Sequence, residues 1–213
     1  MIIDMNPEEI LSILSFLIKE VVFMATVMAV IVSSVNQFKE VAIEKKFTYK
    51  NQIIMIFIFG LFSILANYSG IKLPSGAIAN VRDMGPLVAG LVGGPVIGLG
   101  AGLIGGITRY FGDGFTTLPC SIATISAGVI GGLVYKYNKG EFVGIYKAMI
   151  IAVLVELCHM GLILILARPF NAALDVVKVI TVPMVLSNVL GITIFFLITS
   201  NMIKEGQKER KKR

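Results

Sequence analysis

Long apolar stretches, separated by short polar segments, run through almost the whole chain. A run of about 20 apolar residues is long enough to cross the hydrocarbon core of a bilayer as a helix. Spans of this kind are predicted at about 7–37, 52–69, 78–93, 95–110, 118–136, 143–167 and 178–202. The pattern therefore predicts an all-α fold, a polytopic membrane helical bundle of about seven transmembrane helices, with one N-terminal helix and a six-helix core.

The division between the third and fourth spans rests on the sequence Gly93-Gly94-Pro95. Proline disfavours the helical conformation of the residue before it, and adjacent glycines weaken a helix further. We therefore expect two short helices joined by a tight turn. The alternative is one long kinked span over 78–110, which would reduce the number of crossings to six.

Positive charge is concentrated in three polar segments, namely 38–50, 136–147 and the C-terminal tail, which carry thirteen of the nineteen lysines and arginines. Cytoplasmic segments carry such an excess. Seven crossings place all three on the cytoplasmic side with the N-terminus outside, whereas six crossings would leave 38–50 outside. The predicted organisation is an N-terminal transmembrane helix at 1–37, a basic cytoplasmic loop at 38–50, a glycine-rich transmembrane core at 51–203 and a basic cytoplasmic tail at 204–213.

Composition narrows the function classes. The 213 residues are 56% hydrophobic and 15% charged, with a mean hydropathy of +0.86, so a separate soluble catalytic domain has no room. The net charge of +6 comes largely from segments beside the membrane, which favours a lipid surface over nucleic acid. Cys120 and Cys158 lack metal-binding or disulfide-framework spacing, and no phosphate loop or nucleophile–base spacing occurs. We expect no enzyme activity, cofactor or metal.

Arg82 and Arg109 bracket the two short glycine-rich helices. A guanidinium at hydrocarbon depth is costly, so two of them around one apolar unit indicate a buried anion site. The predicted topology brings both arginines, and the start of the next helix, to the outer half of the membrane. A planar guanidinium suits a carboxylate because it donates two hydrogen bonds to it. The alternative is that Arg82 pairs with Asp83 or Asp113 while Arg109 extends to the interface.

Further polar side chains accompany the two arginines. Those placed to line the same pocket are Asn67, Tyr68, Asn80, Thr116, Thr117, Cys120 and Ser121. Hydrogen bonding between helices is the alternative role for the amides among them. Glu156 and His159 lie three residues apart and share a helical face, so they either relay protons or pair. Ser187 and Asn188 favour inter-helix hydrogen bonds, and glycines four residues apart favour close helix packing.

Residues 80–135 resemble the signature of the LytS/YhcK-type transmembrane sensor region, a receptor type named for five helices and also written 5TMR-LYT. The pattern is N-x-R, GG-P, R-Y or R-F, and P-C. The residues that match it are Asn80, Arg82, Gly93, Gly94, Pro95, Arg109, Pro119 and Cys120. The resemblance covers about residues 30–203. It implies that the core at 51–203 is a membrane sensor module that feeds a cytoplasmic histidine kinase or diguanylate cyclase.

Some members of that family are similar to receptors for pyruvate, a small 2-oxo acid, with the two arginines and the cysteine region implicated. The resemblance carries these roles to Arg82, Arg109 and Cys120. The full expected ligand-binding set is Asn80, Arg82, Arg109, Thr117, Cys120, Ser121 and Thr124. The expected partners are a small carboxylate, a cytoplasmic signalling protein or kinase and the lipid membrane. The alternatives for its assembly include a homodimer, and nucleic acid is not expected as a partner.

The 213 residues hold no phosphoacceptor histidine motif and no ATP-binding motif, so we expect a stand-alone module or the sensor part of a longer protein. Residues 52–202 also resemble, more distantly, the substrate-binding S subunits of energy-coupling-factor transporters. That resemblance rests on the helix order and the G-P turn, and it implies solute capture for transport as a rival function. A scaffold protein without a ligand is the third alternative.

Overall fold

The computed structural model describes residues 7–212; residues 1–6 and 213, at the ends of the predicted N-terminal helix and tail, lie outside the described residues. Within the described range there are seven helices and one two-stranded antiparallel sheet. In chain order they are α1 Pro7–Ser34, α2 Asn36–Ala42, α3 Tyr49–Ser69, β1 Ile71–Lys72, β2 Ile78–Ala79, α4 Met84–Tyr110, α5 Thr117–Tyr137, α6 Ile145–Leu166 and α7 Phe170–Lys212.

Six of these helices, all except α2, are long and apolar enough to cross a membrane. Large apolar side chains such as Phe23, Phe57 and Ile165 stay exposed on their outer surfaces. Extensive exposed apolar surface of this kind marks contact with a membrane. The predicted all-α membrane bundle is therefore confirmed. The small sheet, which the apolar pattern did not predict, is confined to the connection between α3 and α4.

Helix α4 consists of two antiparallel legs. Gly94 has φ 82° and ψ −173°, a backbone conformation that favours glycine. A Cβ atom added to Gly98 would lie 2.7 Å from the Cα atom of Gly90, whereas residues eight apart in a straight helix are separated by about 12 Å. The chain therefore reverses at Gly94, and residues 84–93 and 95–110 form the first and second legs. With α1, α3, α5, α6 and α7, residues 7–212 make seven passes through the bundle.

A glycine seam, made of Gly90, Gly98, Gly128 and Gly132, joins both legs of α4 to α5. A Cβ atom on Gly90 would lie 2.5 Å from the carbonyl oxygen of Gly128 and 2.5 Å from the nitrogen of Gly132. One on Gly98 would collide with the carbonyl oxygen of Gly128. Because no side chain fits at these positions, the backbones touch directly. The seam fixes the three helical segments against one another, in the packing role predicted for glycines at this spacing.

The first leg of α4 is enclosed by protein, since every residue from 79 to 94 is buried. It begins, and the second leg ends, at one end of the bundle, which we call the arginine end. Gly94 marks the opposite end, the turn end. Four cations surround Pro95 there, namely Lys45, Lys136, Lys139 and Arg210. The basic segments therefore gather at the turn end, away from the two arginines of α4.

The predicted loop at 38–50 is partly helical, because α2 occupies its first part. Phe38 and Val41 are fully buried and belong to the main hydrophobic core. Their burial holds this short polar segment against the bundle as a helix. Beyond it, α3 is capped by Thr48, whose hydroxyl accepts a hydrogen bond from the backbone N–H of Asn51 at 3.2 Å.

Helix α7 is longer than the predicted span at 178–202, since it begins earlier and continues through the predicted tail to Lys212. Gln207 gives a physical reason for the extension. Its Nε2 donates to the carbonyl oxygen of Ala42 at 2.8 Å, and its Oε1 accepts from the backbone N–H of Phe142 at 3.1 Å. The tail therefore packs against two neighbouring segments of the chain instead of leaving the bundle.

Candidate functional site

Arg82 lies immediately before the enclosed first leg of α4 and is 1% exposed. Its Nε donates to Thr124 Oγ1 at 2.7 Å, its Nη1 to Asn67 Oδ1 at 2.9 Å and its Nη2 to the carbonyl oxygen of Cys120 at 3.5 Å. A guanidinium has five N–H donors, and three of them are thus engaged by protein groups. Arg82 joins α3, α4 and α5 at the arginine end.

Asp83 supplies the charge that compensates Arg82. It is 4% exposed, and its Oδ1 lies 3.7 Å from Arg82 Nε. The same oxygen accepts a hydrogen bond from Thr124 Oγ1 at 2.6 Å. Its other oxygen, Oδ2, lies 3.0 Å from His159 Nδ1. The sequence alternative in which Arg82 pairs with Asp83 is therefore realised, and it brings α6 into the same cluster.

Arg109 is in a different state from Arg82. Its side chain is fully buried, with Nη1 donating to the carbonyl oxygen of Asp113 at 2.8 Å and Nη2 to Thr116 Oγ1 at 3.3 Å. Its Nε has no hydrogen-bond partner in the described part of the chain. The Asp113 carboxylate is 86% exposed and lies 3.9 Å from Lys72 Nζ. Among residues 7–212, no carboxylate forms an ion pair with Arg109, and the guanidinium does not extend to the interface as the alternative supposed.

An open cleft of about 640 Å³ adjoins Arg109 at the arginine end. Its polar lining includes Asn67, Tyr68, Lys72, Thr108 and Arg109. This volume lies within the range of about 300–1,000 Å³ that is usual for small-molecule sites. Asn67 and Arg109 both line the cleft, and Asn67 also accepts a hydrogen bond from Arg82. The cleft is therefore adjacent to the buried charged residues around Arg82.

His159 links the Cys120 thiol to two carboxylates. Its Nε2 lies 3.3 Å from Cys120 Sγ, and its Nδ1 lies 3.2 Å from Glu156 Oε1 as well as 3.0 Å from Asp83 Oδ2. Glu156 Oε2 in turn accepts a hydrogen bond from Asn188 Nδ2 at 2.9 Å. The pairing of Glu156 with His159 that their spacing suggested is present, and Asn188 connects it to α7.

Asp83, Glu156 and His159 are also the residues that can hold a metal ion in the described part of the chain, since one donor atom from each lies within 4.8 Å of the others. Mixed carboxylate and imidazole ligands suit several divalent metals. A protonated His159, together with Arg82, would offset the charges of the two carboxylates without a metal. The structure therefore adds a group with metal-binding geometry that no sequence spacing indicated.

The structure brings most of the predicted site residues together and separates a few. Asn80 Oδ1 accepts from the backbone N–H of Arg82 at 3.3 Å, and its Nδ2 has no partner in the described residues. Ser121 Oγ donates to the carbonyl oxygen of Thr117 at 2.7 Å, a bond within α5. Neither of these two side chains has a hydrogen bond to an arginine guanidinium, whereas Thr116 Oγ1 accepts one from Arg109 Nη2. Tyr68 lines the cleft but is 78% exposed.

Sequence reasoning missed the central position of Asp83 and the link from His159 to Cys120. Asp83 did carry a signal, because it follows Arg82 directly in an otherwise apolar run. The contact between His159 and Cys120 carried no signal in the sequence, because the two residues are 39 positions apart and lie on different helices. Only the packing of the helices brings them to one level.

Residues 7–212 thus form a bundle of helices able to cross a membrane, with charged residues enclosed beneath an open cleft. Residues 35–202 match the family model described as 5TMR of 5TMR-LYT, and the protein belongs to that family. The family predicted from the motif is therefore confirmed. No solved structure matches the chain.

The relatives are sensor proteins. The chain is 33% identical to sensor protein LytS of Bacillus subtilis (strain 168), over 92% of this chain and 36% of that protein. It is 36% identical to sensor histidine kinase BtsS of Escherichia coli (strain K12), over 66% of this chain and 26% of that protein. It is 32% identical to sensor protein LytS of Staphylococcus epidermidis (strain ATCC 12228 / FDA PCI 1200), over 92% of this chain and 36% of that protein.

The chain spans only part of the length of these relatives, 36% of LytS of Bacillus subtilis and 26% of BtsS. It is a membrane sensor region of the type found in the LytS and BtsS sensor proteins, and its place is the cell membrane. The kinase domain is absent from these 213 residues. None of the three relatives is a transport subunit, and the transport alternative gains no support from them.

Proposed function

We propose that this sensor region binds a small extracellular carboxylate of the pyruvate type, and that Arg109 is the group that receives it. The carrying observation is the state of Arg109, which is fully buried, lines the cleft, keeps Nε without a partner and has no ion-pair partner among residues 7–212. An isolated buried charge is costly. A carboxylate in the cleft removes that cost and accepts a hydrogen bond from the N–H of Arg109 Nε.

Charge bookkeeping within the cluster favours a single negative charge on the ligand. Arg82 faces Asp83, and a protonated His159 faces Glu156. With both carboxylates ionised and His159 protonated, these four groups sum to zero, and Arg109 is left with one positive charge. The role of Arg82 is to hold the site, since three of its N–H groups bind Thr124, Asn67 and Cys120. A monocarboxylate completes the balance, and the family resemblance favours pyruvate among monocarboxylates.

The distribution of basic residues supports a cleft that faces the cell exterior. Lys45, Lys136, Lys139 and Arg210 lie at the turn end, opposite the cleft. Positive segments stay in the cytoplasm, so the turn end is cytoplasmic, the arginine end faces outward and α1 begins outside.

Helix α7 is the proposed route to the signalling partner. It begins at the arginine end, contacts Glu156 through Asn188 and carries the basic tail at the turn end. The cytoplasmic partner in this proposal is a kinase or another signalling protein, and the region acts as a homodimer, the arrangement in which two α7 helices deliver the signal together.

Isothermal titration of the purified chain with pyruvate tests the binding site. We expect the Arg109→Ala variant to lose measurable binding, and Arg109→Lys to bind weakly because a lysine ammonium lacks the bidentate fork. Arg168→Ala is the matched control, since it removes an equally positive but exposed side chain whose Nη1 bonds only to the carbonyl oxygen of Ala167. Equal affinity in wild type and Arg109→Ala would refute the site.

Thiol labelling of intact cells tests the orientation. A cysteine is introduced at Lys72, which is 62% exposed at the arginine end, or at Lys208 in the tail, both in a Cys158→Ser background. We expect a membrane-impermeant maleimide to label position 72 in intact cells and position 208 only after lysis. The opposite pattern would place the cleft in the cytoplasm and remove the extracellular ligand from the proposal.

A further inference from the structure

Asp83, Glu156 and His159 each direct one polar atom at the same point within the arginine end. Nδ1 of His159 lies 3.0 Å from Asp83 Oδ2 and 3.2 Å from Glu156 Oε1. The three side chains are at most 4% exposed, yet none of these three atoms has a hydrogen-bond partner in the described part of the chain. Buried polar atoms almost always have such a partner. Three unpartnered atoms around one point therefore indicate a ligand that they share.

The separations between the three atoms are those of ligands around one metal ion. Nitrogen and oxygen ligands lie about 2.0–2.2 Å from a divalent transition metal, so two of them at right or tetrahedral angles are roughly 2.8–3.6 Å apart. The separations of 3.0 Å and 3.2 Å fall within this range, and all three atoms lie within 4.8 Å of one another. One ion can therefore contact all three side chains without a large rearrangement.

The second oxygen of each carboxylate is already held by protein. Thr124 Oγ1 donates to Asp83 Oδ1 at 2.6 Å, and Asn188 Nδ2 donates to Glu156 Oε2 at 2.9 Å. The guanidinium of Arg82 also lies on the Oδ1 side of Asp83, with Nε at 3.7 Å. Outer contacts of this kind orient metal-binding carboxylates. They leave Asp83 Oδ2 and Glu156 Oε1 as the oxygens that are free to bind a metal.

The imidazole of His159 is oriented in the same way. Its Nε2 lies 3.3 Å from Cys120 Sγ. A metal-binding histidine usually has its other ring nitrogen in such a contact, which fixes the tautomer and the direction of the ring. Nδ1 is then the nitrogen whose lone pair is available to a metal.

We propose that Asp83, Glu156 and His159 bind one divalent transition-metal ion of the Mn²⁺ or Zn²⁺ type. Carboxylates suit manganese and imidazole suits zinc, and both metals accept mixed sets. The ion takes the place of the proton on His159, its charge balances the two carboxylates, and it ties the beginning of α4 to α6. This site departs from the sequence expectation of no metal, because the packing of the helices and not the spacing along the chain brings its residues together.

Electron paramagnetic resonance of Mn²⁺ added to the purified full chain tests the site. The chain is stripped of metal, carries no histidine tag and is measured without pyruvate. We expect one tightly bound Mn²⁺ whose spin-echo modulation shows an imidazole nitrogen. Because the chain contains a single histidine, that signal identifies His159 without any variant.

Isothermal titration with Mn²⁺ and with Zn²⁺ gives the second readout, in a Cys158→Ser background that removes an exposed thiol. We expect Glu156→Gln to weaken binding by about a hundredfold, and Asn188→Ala, which removes an outer contact, by about tenfold. Glu205→Gln is the matched control, since it is the same substitution at an exposed glutamate. A cooperative unfolding transition of each variant without metal shows that it is folded.

The outcomes separate this site from the proposed function. A wild type that binds neither metal, bound Mn²⁺ without a nitrogen signal, or equal affinity in wild type and Glu156→Gln overturns the metal site. Pyruvate binding by the metal-free chain then leaves the carboxylate receptor intact. Conversely, one bound metal with an imidazole nitrogen, in a chain that does not bind pyruvate, establishes the metal site while the proposed function fails.

Discussion

The two ends of the α4–α5 unit are built from the same helices but in opposite ways. Towards the turn end, the glycine seam brings the backbones of α4 and α5 into direct contact and leaves no room for a single methyl group. At the arginine end, Arg82, Asp83, Arg109 and His159 are buried with several polar atoms still unpartnered, beneath an open cleft. Close packing towards the turn end depends on glycines, which have no side chain, whereas the arginine end has an open cleft beside buried charged side chains.

The comparison shows how a membrane bundle can carry a costly polar site. Helices in lipid gain little from the hydrophobic effect and rely on close packing. The glycine seam provides that packing, and it positions both legs of α4 so that their ends meet at the arginine end. The arginine end can then keep Arg109 without an ion-pair partner among the described residues, because its geometry is fixed from the other half.

The largest expected effect separates the two arginines. Arg82→Ala removes one member of a buried ion pair, leaving Asp83 with Thr124 and His159 alone, which should cost about 3–5 kcal/mol of stability. Arg109→Ala removes a buried charge that has no ion-pair partner among residues 7–212 together with two hydrogen bonds, so ligand-free stability should fall less than in Arg82→Ala. Thermal unfolding of both variants in detergent, without ligand, measures this. A greater loss for Arg109→Ala would contradict the division of roles.

Breaking the glycine seam should have the next largest effect. Gly98→Ala places a methyl group 2.7 Å from the Cα atom of Gly90, and overpacking of this kind costs about 1–3 kcal/mol. Gly161→Ala in α6 is the matched control, because its Cβ atom would meet nothing within 4 Å. That variant should gain up to about 1 kcal/mol from reduced backbone freedom. Equal unfolding temperatures for the two variants would show that close packing at the glycine seam does not stabilise the bundle.

The smallest effect concerns a cation at the turn end. Burial lowers the pKa of Lys45 from 10.5 to about 8, with Arg210 and Lys211 adding to the shift and Glu141 opposing it. The folded state therefore binds fewer protons than the unfolded state between about pH 8 and pH 10.5, and stability should rise with pH in that window. Because Lys45 is partly exposed, the gain is of order 1 kcal/mol or less.

Thermal unfolding at pH 7 and pH 9.5 measures this gain, with Lys45→Met as the reference. The variant lacks the titrating amine, so the difference between wild type and variant should shrink as the pH rises. In the wild type the amine donates to the carbonyl oxygen of Ala42 at 2.8 Å and lies 5.1 Å from the centre of the Tyr135 ring. A constant difference across the window would mean that these contacts keep Lys45 charged.

The fold was readable from the sequence where local chemistry decides it. Gly94 and Pro95 predicted the reversal in α4, because a proline restricts its predecessor and a positive φ favours glycine. The separation of the basic segments from Arg82 and Arg109, at opposite ends of the bundle, was also predicted from the positions of lysines and arginines in the sequence. The helical tail did not, because its composition is polar and the two hydrogen bonds of Gln207 depend on partners that are 65 and 165 residues away.

The candidate site was only half readable for a related reason. Arg82 and Arg109 stand out because charged residues are rare in apolar segments. The contact between Cys120 and His159 depends on how α5 and α6 are rotated about their axes, and α6 is apolar on all sides apart from a few positions. No periodicity fixes that rotation, so the sequence offered Glu156 and His159 as a pair without showing what they face.

The enclosure of the first leg of α4 also determines how the sensor responds to its surroundings. Residues 79–94 are covered by neighbouring helices on every side, so acyl chains do not reach them. The position of Arg82 within the bundle is consequently set by protein neighbours, and a change in the surrounding lipids should leave it unaltered.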